Sequence, residues 1–236
     1  MSIAPGDPIG SAIHDYATSK KPADIIVSSD ICEDDIIPVE VLFRTLDEMP
    51  ELERLAMDRC KGKVLDAGAG TGIHALELMD RGSQVKAIDI SKGAVAYMKK
   101  QGIDAEQISF LNLKNEKFDT ILMLMNGIGI AGKLSNLERT LKHAKSLLNE
   151  GGRILCDSSD IRYLYEDEEG ALWVDLNSEY YGNFRFQMKY KKEKGQWFDW
   201  LYVDFENLFQ AAQNVGLKAS KIYDENDNYL AEITVS

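Results

Sequence analysis

Apolar residues recur along this chain with two different spacings. Ile121-Leu122-Met123-Leu124-Met125, following Thr120, is an unbroken apolar run. Such a run suits a strand buried on both faces of a parallel sheet. Behind it, Leu137, Leu141, Ala144 and Leu148 return at helical spacing after the capping box Ser135-x-x-Glu138, and Gly151-Gly152 stops the pattern. Upstream, Val64 to Ala67 reads as a strand, Ile73 to Arg81 as a helix stopped by Gly82, and Gln84 to Asp89 as a second strand. Ser91 can cap the next helix, which ends near Gly102. Ile108 to Leu111 reads as a short third strand and Arg153 to Cys156 as a fifth. This alternation predicts an α/β fold built on a doubly wound, mostly parallel sheet.

The flanks follow other patterns. Residues 1–60 read as helical. Asp7 can cap a helix whose first position is Pro8, and Pro38 and Pro50 mark two further helix starts. Leu52, Leu55, Ala56 and the stem of Arg59 share one face of the last of these. The link from about Asp24 to Asp35 is expected to be a loop. From Asn183 to Val203, two aromatic-rich segments flank Lys191-Lys192-Glu193-Lys194-Gly195, which reads as a β-hairpin. Asp204 can cap a helix using Phe205, Leu208, Phe209 and Ala212, and Leu217–Tyr223 and Tyr229–Val235 form a closing strand pair. The expected organisation is a helical cap over 1–60 and an α/β domain over 61–236, with the hairpin inserted at about 180–203.

Chemistry enters at the first strand–helix junction. Val64-Leu65-Asp66-Ala67-Gly68-Ala69-Gly70-Thr71-Gly72 has three alternating glycines, and Asp89 ends the next strand. Glycine lets a ligand approach the main chain. A carboxylate at the second strand tip can accept hydrogen bonds from both hydroxyls of a ribose. The spacing is G-x-G-x-G rather than the G-x-G-x-x-G of dinucleotide binding, and a carboxylate at Asp66 would repel a pyrophosphate. In these residues the chain resembles the class I S-adenosylmethionine-dependent methyltransferases over about residues 60 to 236. Their first motif looks like Val64 to Gly72 and their second like Asp89. The resemblance implies a seven-stranded Rossmann-like sheet, S-adenosylmethionine as cofactor with S-adenosylhomocysteine as product, and methyl transfer to an acceptor.

By that resemblance, Ala67, Gly68, Ala69 and Gly70 lie beside the aminoacyl end of the cofactor and Asp66 holds its amino group. Asp89 binds the ribose, Ile90 lies against the adenine, and Phe110 sits near its far side. Met125 and Asn126 follow the fourth strand beside the transferable methyl. The family often carries an acid near Ser109 and Phe110, which is missing here. So is the Asn/Asp-Pro-Pro-Tyr sequence of some amino methyltransferases, expected at Asn126-Gly127-Ile128-Gly129. His74 either faces the cofactor or serves the fold, and Arg44 either meets the cofactor carboxylate or is solvated. Asp157-Ser158-Ser159-Asp160 either lines an acceptor pocket or forms a loop. Tyr180, Tyr181, Trp197 and Trp200 are core, lid or interface. No catalytic base is singled out.

Composition narrows the class. The net charge of −12 disfavours a polyanion, so nucleic acid is not the expected partner. No stretch approaches the roughly 20 apolar residues that cross a bilayer, and no secretory signal is visible. The three cysteines, Cys32, Cys60 and Cys156, fit neither a disulfide framework nor a zinc site, which suits a reducing cytoplasm. No metal is expected. The leading expectation is methyl transfer to a small-molecule acceptor. The alternatives are a non-catalytic S-adenosylmethionine-binding protein and, less in keeping with the glycine spacing, an NAD-dependent oxidoreductase.

Overall fold

The computed structural model describes residues 6–19, 23–165 and 179–235. Residues 1–5 and 20–22, part of the expected helical cap, lie outside the described residues. Asp7 caps α1 (Pro8–Ser19), its Oδ1 accepting the Gly10 N–H at 3.0 Å. The next segment departs from the helical expectation. The supposed loop after Asp24 contains β1 (Ile25–Ser29) and β2 (Asp35–Ile37), which pair antiparallel. The β-branched run Ile25-Ile26-Val27 favours an extended chain, and its other partner lies far along the sequence. Pro38 opens only a short 3-10 turn, Val39–Phe43, whereas Pro50 does precede a helix, α2 (Glu51–Arg59).

The main sheet collects β3 (Lys63–Ala67), β4 (Gln84–Asp89), β5 (Asp104–Gln107), β6 (Phe118–Met123), β7 (Leu148–Ser159), β10 (Leu217–Glu225) and β11 (Asn228–Val235). Its order is β10-β11-β7-β6-β3-β4-β5, with β11 antiparallel to both neighbours. The strands are joined by α3 (Ile73–Asp80), α4 (Lys92–Lys100), α5 (Leu137–Ser146) and α6 (Phe205–Asn214). The continuous apolar run in β6 feeds two cores. Ile121 and Met123 pack with α5 and α6 on one face, and Leu122 packs with residues of α2, α3 and α4 on the other. Central strands buried on both faces need no polar alternation.

Three local expectations are corrected. The third strand is Asp104–Gln107, four residues earlier than expected, and Phe110–Asn112 is a 3-10 turn. The Ser135–Glu138 box does not form, because a 3-10 turn at Leu134–Asn136 starts α5 at Leu137; Glu138 instead accepts a hydrogen bond from Asn214. A capping box forms at Thr45 and Glu48. The fifth strand extends from Leu148 to Ser159, because Asp157, Ser158 and Ser159 continue the β11 ladder without a break and Leu148 pairs with Phe118 of β6.

A second sheet, in the order β2-β1-β8-β9, is completed by β8 (Asn183–Tyr190) and β9 (Glu193–Leu201). Strand β1 lies between β2 and β8, pairing Val27 with Met188 and Ser29 with Phe186. Helix α1 ties this layer to the main domain. It crosses α4 with backbone contact, since a Cβ on Gly93 would lie 2.4 Å from the Gly10 Cα. Asp7 Oδ2 accepts from the Gly93 N–H at 2.9 Å and from the Ser91 hydroxyl at 3.0 Å. Gly93→Ala usually favours a helix, yet here overpacking is expected to cost about 1–3 kcal/mol. A fall in Tm checks this; an unchanged or raised Tm would show that α1 does not hold this contact.

Candidate active site

The doubly wound sheet reverses direction at β3, whose neighbours are β4 and β6. Ligands of such sheets bind beyond the carboxyl ends of the strands at this reversal. Here the chain leaves β3 through Gly68, Gly70 and Gly72, with φ of 80°, 58° and 80°. The glycines differ in purpose. A Cβ on Gly72 would strike Ile103 at 2.5 Å, so that glycine lets α3 pack, whereas a Cβ on Gly70 would meet nothing within 4 Å. The Gly70 main chain is thus open to a ligand.

Asp89 faces the same turn. Its Oδ2 accepts the Gly70 N–H at 2.9 Å and its Oδ1 the Ser91 N–H at 2.7 Å. Each oxygen keeps a second acceptor position. Burial pushes its pKa up to about 6, against the pull of the two N–H donors. Ile90, next in sequence, is 73% exposed, a bare apolar surface beside the strand tip. Asp66 is buried, and its Oδ2 has no hydrogen-bond partner among the described residues. Burial raises its pKa, with His74 and the Ala75 N–H acting the other way. An orphaned carboxylate oxygen, an open glycine and an exposed apolar side chain fit the amino group, ribose and base of an aminoacyl nucleoside.

A cavity of about 500 Å³ lies on the other side of β6, between the tip of the main sheet and the second sheet. Met125 and Asn126 line it, as does Asp157 of β7. Met125 and Asn126 are left-handed, with φ of 62° and 56°. That conformation is uncommon for residues with a Cβ, least so for asparagine. Asp157 holds them: its carboxylate accepts the Asn126 N–H at 3.0 Å and the Gly127 N–H at 3.1 Å. Burial pushes the Asp157 pKa up to about 6, and the Glu53 charge adds to the rise. The opposite wall includes Phe186, Phe198, Trp200 and Tyr202. Gly129 allows the β6 loop to reach this wall, because a Cβ there would lie 2.3 Å from Trp200 Nε1.

Glu53 of α2 also lines the cavity and anchors a buried triad that the sequence did not reveal. Its Oε1 is 2.8 Å from Arg44 Nη2, and its Oε2 is 2.8 Å from His74 Nε2. Burial opposes the Glu53 charge, but His74 and Arg44 outweigh it and hold its pKa below the ordinary glutamate range. Arg44 lies between two 3-10 turns, not on a helix. It and His74 therefore serve the Glu53 carboxylate.

The structure gathers Asp66, Ala67, Gly68, Ala69, Gly70, Asp89 and Ile90 at the tips of β3 and β4, and Met125 and Asn126 at the tip of β6. The Phe110 ring is 3% exposed, packed in the core edge-on to His143, because the 3-10 turn carries it inward. Asp157 turns to the cavity, whereas Asp160 accepts from the Tyr181 hydroxyl at 2.8 Å. Trp200 is a cavity wall, while Trp197 is 42% exposed on the outer face. Among the described residues no cluster of His, Cys, Asp or Glu is placed to hold a metal ion, and no helix is long and apolar enough to cross a membrane.

Known proteins resemble this chain over most of its length. A methyltransferase domain family model matches residues 39–218. A crystal structure of an S-adenosylmethionine-dependent methyltransferase from Bacteroides fragilis, in complex with S-adenosyl-L-homocysteine, is 44% identical. It matches 100% of this chain and 98% of its own, with a TM-score of 0.92. The sugar N-methyltransferase KedS8 from Streptoalloteichus is 14% identical over 89% of this chain and 98% of its own, with a TM-score of 0.57. The methyltransferase CcbJ from Streptomyces caelestis is 14% identical over 80% and 94%, with a TM-score of 0.59. These last two share the fold alone. No curated protein matches the chain. The chain belongs to the class I S-adenosylmethionine-dependent methyltransferase family. Its cofactor is accordingly S-adenosylmethionine.

Proposed function

We propose that this protein transfers the methyl group of S-adenosylmethionine to a small-molecule acceptor held in the 500 Å³ cavity. The observation that supports this best is the placement of Met125 and Asn126. They stand at the tip of β6 and line the cavity, one strand from the open Gly68–Gly70 turn. The cofactor supplies a methyl group bound to a positively charged sulfur. The chain's residues bind and orient. Asp89 accepts from the ribose hydroxyls, Ile90 covers the base, and Asp66 receives the amino group on its orphaned oxygen. The second sheet excludes water from the acceptor side, and alignment of the reacting atoms lowers the barrier by up to ~7–11 kcal/mol. The cavity size and the charge of −12 favour a small acceptor over nucleic acid.

Calorimetric titration with S-adenosylhomocysteine and with NADH tests the donor assignment. Only the former is expected to bind, and NADH binding would restore the oxidoreductase reading. Its pH dependence follows from Asp89. The ribose hydroxyls donate to the charged carboxylate, whose pKa in the free protein is about 6. Affinity should therefore hold above that value and weaken about tenfold by pH ~5. Conversion of S-adenosylmethionine to S-adenosylhomocysteine on addition of acceptors separates an enzyme from a binding protein.

A further inference from the structure

The cavity has a one-sided charge pattern. Asp35, Glu53, Asp157 and Glu225 line it, and no lysine or arginine does among the described residues. A carboxylate or phosphate ester entering it would meet only like charge. A neutral acceptor would leave Asp157 ionised and uncompensated in a mostly apolar enclosure, which is costly. A cation removes that cost. The rings of Phe186, Phe198, Trp200 and Tyr202 add faces that attract cations. Phe198 and Trp200 stand edge to face at 6.1 Å, and Phe186 lies 6.3 Å from Phe198, so the wall is aromatic and continuous.

Resting on the reading of this site as a methyl-transfer centre, we infer that the acceptor is a small organic amine, held against the aromatic wall, with Asp157 as the carboxylate that takes its proton. Glu53 is not available for that role, because Arg44 and His74 occupy its oxygens. The oxygens of Asp157 accept backbone N–H groups, from Asn126 and Gly127. The raised pKa of Asp157 makes it a stronger base than an ordinary aspartate. In the step, an ammonium N–H proton passes to Asp157 and frees the nitrogen lone pair. That pair forms the new N–C bond while the methyl C–S bond breaks. The sulfur keeps the electron pair of the broken bond and becomes neutral, and the methylated nitrogen takes up the positive charge.

The test uses three probes of one shape: cyclohexylmethylamine, cyclohexylmethanol and cyclohexanecarboxylate. Each is titrated into the full chain with and without S-adenosylhomocysteine at about pH 8, where the amine is protonated and Asp157 ionised. The amine should bind at least about tenfold tighter than the alcohol, with the carboxylate weakest. Asp157→Asn should reduce the amine preference to below about threefold in a variant whose thermal melt shows it folded, and Phe198→Leu should weaken the amine more than the alcohol. An amine that binds no better than the alcohol, or a carboxylate that binds best, overturns the assignment in the wild-type chain alone. An Asp157→Asn variant that keeps the full preference removes Asp157 from it. Failure of S-adenosylhomocysteine to bind strikes the donor reading instead, and the probe ranking without it still decides this one.

Discussion

Replacing Asp89 by alanine is expected to weaken S-adenosylhomocysteine binding by about a hundredfold or more. Hydrogen bonds to a charged group contribute about 1.5–3 kcal/mol each, and the ribose would lose two. The substitution also releases the Gly70 and Ser91 N–H groups, which Asp89 holds at 2.9 Å and 2.7 Å. The turn would then lose its set position as well as its acceptor. Calorimetry on the variant, with a thermal melt as control for folding, checks the effect. Unchanged affinity in a folded variant would remove the ribose role from Asp89 and leave it as the clasp of the turn.

The largest effect on stability should come from Glu53→Ala. The change strips the partner from two buried groups at once, the Arg44 guanidinium and the His74 ring. Breaking a buried pair on one side costs about 3–5 kcal/mol, because the remaining charge is uncompensated. Arg44 Nε already has no partner among the described residues, which leaves little to absorb the loss. In a chain of this length Tm should fall by roughly 10 °C. The pH dependence has a definite sign. The folded Glu53 pKa is depressed, so its contribution is present above the ordinary glutamate range and is lost as pH falls below it. Wild-type and variant melts should converge in acid; a constant gap would mean that Glu53 acts by packing rather than by charge.

The donor half was legible in the sequence because its determinants are local. The glycines, Asp66 and Asp89 lie within one strand–helix–strand unit, and their spacing constrains the backbone directly. The apolar run in β6 and the caps at Asp7, Ser91 and Asp204 are likewise short-range, and each is present in the structure. The acceptor half was not legible in the same way. Strand β1 shows its β-branched run in the sequence, but its neighbour β8 begins more than a hundred residues later, and nothing local announces that pairing. Asp157 stands in a run of four polar residues for which the sequence leaves a pocket role and a loop role open; its bonds to the Asn126 and Gly127 N–H groups and its place on the cavity wall come from long-range packing. The Arg44–Glu53–His74 triad joins three separate elements, and the 3-10 turn that carries the Phe110 ring into the core has no signature in the local pattern.

The wall built from β1, β8 and β9 has a further consequence. On the proposed reading, the donor contacts from Asp66 to Ile90 would lie in one contiguous stretch of chain, while the aromatic wall facing the acceptor is assembled from the distant segments that carry β1, β8 and β9. Mutational drift in the latter can therefore redirect the enzyme toward a new target without disturbing its fuel. Recombining the 25–37 and 183–202 segments together from a relative is a natural route to altered selectivity, whereas exchanging either alone would mismatch the ladder between β1 and β8.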